Sequence, residues 1–165
     1  MIDTAIIYTR TNSKRFKNKA LVKVYKNKSL IESVVQNTFK IKSIKRIIIA
    51  TTKSKKDLIF ERILKKYKVN FFYGSTNDLI DRSLKCSSKF KFDYFIRICG
   101  DRPFFSYKYI DDTVTRLNKS PIRYDLITNN NINKTVDQGL TVEIISSSSL
   151  KRVKKKKLKK YNLEN

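Results

Sequence analysis

The sequence predicts an α/β fold of three layers, a mainly parallel sheet flanked by helices. Apolar runs of strand length recur along the chain, and segments of helical period separate them. Most of the runs are near-continuously apolar, which is the pattern of a sheet covered on both faces, where no side chain meets solvent. At 165 residues, with 40% hydrophobic and 12% aromatic content, the chain supports one domain with a real core.

The first strand is AIIYT at 5–9, whose β-branched and aromatic residues suit a pleated, buried surface. A basic loop follows. Next, SLIESVVQNTF places Ile31, Val34, Val35 and Phe39 on one helical face, with Ser29 as N-cap and Glu32 completing a capping box. RIIIATT at 46–52 is the second strand. KKDLIFERILKKY then sets Leu58, Ile59, Ile63 and Leu64 on a stripe, and VNFFYG at 69–74 returns to strand. STNDLIDRSLKCSSKF and SYKYIDDTVTRLNK have helical period and bracket the strand DYFIRIC at 93–99. YDLITN at 124–129 and LTVEII at 140–145 are the last strands. This strand–helix rhythm is a βαβ succession, which demands crossovers and hence parallel neighbours. The final stretch, SLKRVKKKKLKKYNLEN, carries only Leu150, Val153 and Leu158 among lysines and reads as a solvated or frayed terminus.

Composition narrows the chemistry. Lys and Arg total 38 against 14 acids, a formal net charge of +24, so the partner class that comes first is a polyanion or a phosphate-rich small molecule. Much of the lysine is the usage of an AT-rich coding sequence, given Gly 3, Pro 2 and Trp 0, although that does not explain why lysine outnumbers glutamate. With no histidine, a histidine-based triad or histidine-ligated metal is excluded. Cys86 and Cys99 have neither metal-ligand spacing nor a disulfide framework, and MIDTAIIYTR lacks the marks of a signal peptide. No run reaches membrane-spanning length, so no membrane partner and a reduced, cytoplasmic setting are expected.

Ligands of open α/β sheets bind outside the carboxyl ends of the strands. After the first strand, TRTNSKRFKNKAL gathers Arg10, Lys14, Arg15, Lys17 and Lys19 with Asn12 and Ser13. Forked guanidinium donors, compact ammonium charges and loop amides suit a phosphate chain. Neither a P-loop nor a GxGxxG fingerprint is present. After the fourth strand comes GDRPFF, where Asp101 is placed to hold Mg²⁺ against phosphates and Gly100 to let backbone approach a ligand. Glu143 interrupts the last apolar run.

In order, R-x-x-S-x-R ending in lysine, GS-x-x-D-x-x-DR, R-x-x-GD-x-P and GL-x-VE resemble the sugar-nucleotide cytidylyltransferases. The nearest branch is the spore coat polysaccharide biosynthesis protein F type, related to the acylneuraminate and 3-deoxy-manno-octulosonate cytidylyltransferases. The likeness runs from Ile6 to about Val153. It implies a Rossmann-like fold of nucleotide-diphospho-sugar transferase type, with a nucleotide-binding domain over 1–150 and a basic tail over 151–165 that truncates the family domain. It also implies Mg²⁺-dependent transfer of CMP from CTP to a sugar or sugar acid, with release of pyrophosphate, in the synthesis of surface glycan precursors.

On that resemblance Arg10, Ser13, Arg15 and Lys19 bind the nucleotide, and Arg15, Lys19 and Asp101 are catalytic. Gly74, Ser75, Asp78, Asp81, Arg82 and Arg97 line the same cleft. Asp101 is the metal ligand, with Asp137 and Glu143 as the nearest further carboxylates. Departures are visible. Asn12 stands where the family has glycine, and FKNK replaces LPGK. QGLTVE replaces DGLDVE, so that Gln138 and Thr141 stand in place of two acids, one of them the second metal ligand. A homodimer is compatible with the resemblance. The rival readings are a non-catalytic nucleotide-binding relative and a basic nucleic-acid-binding module. The second is disfavoured because the lysines are spread through the chain without a recognised motif.

Overall fold

A computed structural model of the chain describes residues 1–12, 16–130, 137 and 140–163. In chain order its elements are β1 (Thr4–Tyr8), β2 (Lys23–Tyr25), β3 (Lys28–Ser29), α1 (Leu30–Thr38), β4 (Arg46–Thr52), α2 (Ile59–Leu64) and β5 (Asn70–Gly74). There follow α3 (Leu79–Phe90), β6 (Tyr94–Cys99), α4 (Tyr107–Lys119), β7 (Leu126–Thr128), β8 (Glu143–Ser146) and α5 (Ser147–Leu163). The main sheet has the order β5-β4-β1-β6-β8-β7. β1 pairs in parallel with both β4 and β6, and β4 with β5, while β8 runs antiparallel to β6 and β7. The four strands that lead into crossovers are therefore parallel, and the reversal is confined to one edge.

Alternate residues of each strand serve opposite faces, which is why the runs are apolar throughout. Ala5, Ile7, Ile47, Ile49, Ile96 and Ile98 pack with residues of α1, α2 and α4 in the larger core. Ile6, Ile48, Ala50, Phe72 and Phe95 face the other way and meet Cys86 of α3, with Leu150 of α5 alongside. Phe92 and Phe95 touch edge to face, their ring centroids 5.8 Å apart.

At the start of α1 the Glu32 carboxylate accepts the Ser29 N–H and hydroxyl, each at 2.7 Å, and pairs with Lys66 at 2.6 Å. Burial works to raise the Glu32 pKa, but Lys66 and the Ser29 donors outweigh it and hold the carboxyl at about 2.

Three local features depart from the sequence expectation. The hairpin β2–β3 occupies a stretch read as loop, and it turns on Lys26 and Asn27, both at positive φ (45° and 58°). The second helix is shorter than its stripe, because residues 55–58 form a 3-10 turn capped by the Ser54 hydroxyl. The lysine-rich terminus, read as solvated or frayed, is helical from Ser147 to Leu163 with Lys151, Lys155 and Lys156 exposed, and Lys154 reaches Asp81 at the start of α3 at 2.6 Å. Among the described residues no helix is long and apolar enough to cross a membrane.

Candidate active site

Because β1, β5 and β6 all run in the same direction in the sheet, the loops after them share one edge of it. There they enclose a cavity of about 380 Å³, whose lining includes the cations Arg10, Lys19, Arg82 and Arg97 and a single carboxylate, Asp101. Lys19 Nζ lies 3.0 Å from Asp101 Oδ2, so the basic loop and the GDRP turn meet directly across the cavity. Arg10 Nη1 donates to the Thr76 carbonyl at 3.3 Å, which ties the loop after β1 to the loop after β5.

Gly100 lines the cavity and has a structural task as well. Its N–H donates to the Tyr8 carbonyl at 2.8 Å, and a Cβ there would sit 2.9 Å from both that oxygen and Thr9 Cβ. The glycine thus lets the end of β6 close on the end of β1, fixing Asp101 beside the first loop; the close backbone approach is within the protein.

The GS-x-x-D-x-x-DR segment is a construction kit for one wall. Ser75 Oγ accepts the Asp78 N–H at 3.0 Å, and Asp78 caps α3 by accepting the Asp81 N–H at 2.8 Å. Buried Arg82 sends Nε and Nη2 to the Ser75 carbonyl, at 2.8 and 2.5 Å, and Nη1 to the Ala50 carbonyl at 3.4 Å. Gly74 permits this, since a Cβ would lie 2.6 Å from Arg82 Cγ. Burial, with Arg10 adding repulsion, pulls the Arg82 pKa below the usual guanidinium range. Its hydrogen bonds end on carbonyls, so the wall carries a desolvated positive charge that an anion would stabilise. Within this segment Thr76, Asn77, Leu79 and Arg82 line the cavity, whereas Gly74, Ser75, Asp78 and Asp81 do not. Asp81 is occupied by Lys85 at 2.9 Å and by Lys154.

Arg97 lines the cavity and pairs with Glu143 across the β6–β8 register at 2.6 Å. Glu143 is therefore engaged one strand away from the cavity. Asp137 is exposed. Thr141, at the position where the resemblance expects an acid, accepts a hydrogen bond from Arg102 at 2.7 Å. Ser13, Arg15 and Gln138 lie outside the described residues. Among the described residues no three His, Cys, Asp or Glu side chains are grouped to share a metal ion.

Asp57 escaped the sequence reading. It is 1% exposed and accepts five hydrogen bonds. Thr11 N–H and hydroxyl reach Oδ1 at 2.8 and 2.6 Å. Thr51 hydroxyl, Thr52 N–H and Thr52 hydroxyl reach Oδ2 at 2.9, 3.2 and 2.6 Å. The only sequence signal was the threonine pair ending the second strand, too common a feature to single out.

A model of the family described as cytidylyltransferase matches residues 4–165. An uncharacterized protein of Methanocaldococcus jannaschii is 34% identical over 159 residues, covering 96% of this chain and 63% of its own length. Among solved structures, a cytidylyltransferase from Leptospira borgpetersenii superposes with a TM-score of 0.84 at 26% identity, over 93% of this chain and 63% of that one. A CMP:2-keto-3-deoxy-manno-octonic acid synthetase complexed with CTP gives 0.69 at 14% identity, over 93% and 78%, a likeness of fold alone. The chain spans less than two thirds of the M. jannaschii and L. borgpetersenii proteins. The fold is the nucleotide-diphospho-sugar transferase type that the motif order implied.

Proposed function

Because the chain belongs to the cytidylyltransferase family, we propose that it transfers CMP from CTP to a hydroxyl of a sugar or sugar acid, releasing pyrophosphate. One observation carries the reading. Among the described residues, four cations and one carboxylate line a single cavity at the carboxyl ends of parallel strands. Such a charge distribution fits a triphosphate and disfavours a neutral ligand.

The acceptor oxygen forms a bond to the α-phosphorus, the bond to the bridging oxygen breaks, and the hydroxyl proton leaves to solvent. Negative charge grows on the departing pyrophosphate, where Arg10 and Lys19, and Arg15 on the resemblance, are suited to meet it. Arg82 supplies fixed positive potential from the wall, since its donors are engaged on backbone carbonyls, whereas the charge of Arg97 is partly offset by Glu143. Ser13 belongs to the same loop and remains assigned by its motif position.

A divalent metal fits the donors present in a limited way. Mg²⁺ commonly takes one or two carboxylates and completes its shell with substrate phosphates and water, and Asp101 supplies one carboxylate in the cavity. When bound, the ion would offset charge on the phosphates. Glu143 would have to give up Arg97 to contribute. Synthesis of glycan precursors in the cytoplasm is the setting this reaction suits.

Thermal-shift measurements with CTP, UTP, ATP and GTP, each with and without Mg²⁺, test the proposal. The largest shift is expected with CTP and Mg²⁺ together. Equal shifts from all four nucleotides, or none, would overturn it.

A further inference from the structure

We propose that Asp57 is a positioning residue for the nucleotide: through Thr11 it sets the course of the loop after β1 and so places Arg10 and Lys19 at the cavity before any ligand arrives. The inference rests on the nucleotide reading of the cavity above.

Geometry makes Asp57 a bridge and not merely a filled hole. One carboxylate oxygen is held by the end of β4, through Thr51 and Thr52, and β4 is held between β1 and β5 in the sheet. The other takes both donors of Thr11. Thr11 is also the pivot of the loop, because its carbonyl accepts the Asn18 N–H at 2.9 Å. The chain therefore leaves and returns at one residue. Arg10 precedes that pivot directly, and Lys19 follows Asn18. One buried carboxylate thus fixes both stems from which the cavity cations project.

The chemistry of the group supports this use. A carboxyl group is purely an acceptor at both oxygens only when ionised. Burial works to protonate Asp57, but the threonine donors outweigh it and its pKa lies below the usual carboxylate range. Asp57 does not line the cavity, so its effect on a ligand passes through Thr11. Placing cations before binding removes part of the ordering cost that association would otherwise carry.

Two isosteric substitutions separate positioning from stability. Thr11→Val and Thr51→Val each delete one hydroxyl bond to Asp57, of 2.6 and 2.9 Å, but only the first touches the loop. The melting temperature and the CTP–Mg²⁺ dissociation constant are measured for both, for Thr11→Ser and for the unaltered protein. Both valine variants are expected to lose similar thermal stability. Thr11→Val should weaken CTP by about tenfold and Thr51→Val by less than about twofold, with Thr11→Ser restoring affinity. Equal weakening in the two valine variants, or none in Thr11→Val while the unaltered protein binds, overturns the inference alone. An unaltered protein that does not bind CTP overturns the nucleotide reading and this inference with it.

Discussion

Lys19 sits where a cation is wanted by Asp101. Both side chains are partly exposed, 46% and 36%, so their ion pair is a surface pair worth about 0.2–1 kcal/mol. That is weak enough for a divalent ion to displace, and strong enough to compete with one when no nucleotide is present. Lys19→Met is therefore expected to raise the affinity for Mn²⁺ alone by about two- to fivefold, while lowering pyrophosphate release from CTP. Electron paramagnetic resonance of free Mn²⁺ measures the first effect, and unchanged metal affinity would show that Lys19 does not guard the carboxylate. Asp101→Asn keeps the shape but removes the charge, and should lower pyrophosphate release by about a hundredfold or more. Release near the unaltered rate would remove Asp101 from the mechanism. At this scale the sequence singled out Arg10, Lys19, Arg82, Arg97 and Asp101, charged residues that line one cavity. It hid the supports. Asp57 lay among lysines on a helical stripe, and its partners Thr11, Thr51 and Thr52 come from two other segments that only the fold brings to it. Gly100 was legible as a close approach, but which two groups approach is a tertiary fact.

Elements were legible where periodicity ran long. The strand-length apolar runs and the capping box of α1 needed no tertiary information, because apolar content and cap chemistry are local. The β2–β3 hairpin was not legible. Its strands are exposed and only two or three residues long, and its turn uses Lys26 and Asn27 at positive φ in place of the glycine that usually marks such a turn. Helix α5 was legible only in part: lysine density signals its solvated face, whereas the contacts that hold its first turns, Leu150 beside the smaller core and Lys154 on Asp81, are tertiary. The α1 cap carries a pH consequence. The Glu32 carboxyl is depressed to about 2 in the folded protein, against about 4.3 when unfolded. Its stabilisation is thus complete above the unfolded value and is lost as pH falls from about 4.3 towards about 2. Glu32→Gln should flatten the stability profile between those limits in acid titrations followed by circular dichroism. A variant as acid-sensitive as the unaltered protein would assign the loss to other depressed carboxylates, among them Asp57, Asp81 and Asp111.

For the molecule as a whole, the balance of charge is set by what the acids are already doing. Of the 14 acids, Glu32, Asp81, Asp101, Asp125 and Glu143 are tied to cations of the same chain, and Asp57 to threonines. The 38 basic residues outnumber the acids, and a net charge of +24 opposes compaction. Two salt effects then compete. Screening weakens the ion pairs, each of which keeps at least one partly exposed partner, and it weakens the repulsion, which sums over the whole surface. The sum should win. The melting temperature is expected to rise by a few degrees between about 0.05 and 0.5 M sodium chloride, since each kcal/mol corresponds to about 2–4 °C at this size. A polyanion such as heparin should give a similar rise at low salt, and that rise should vanish at high salt because it depends on released counterions. The CTP–Mg²⁺ shift should persist in part at high salt, because Arg82 and Arg97 act from inside a shaped cavity and not from the open surface. A melting temperature that falls as salt is added would mean that pairs such as Glu32–Lys66 and Asp81–Lys154 outweigh the surface repulsion. The lysine excess would then have been absorbed by the fold.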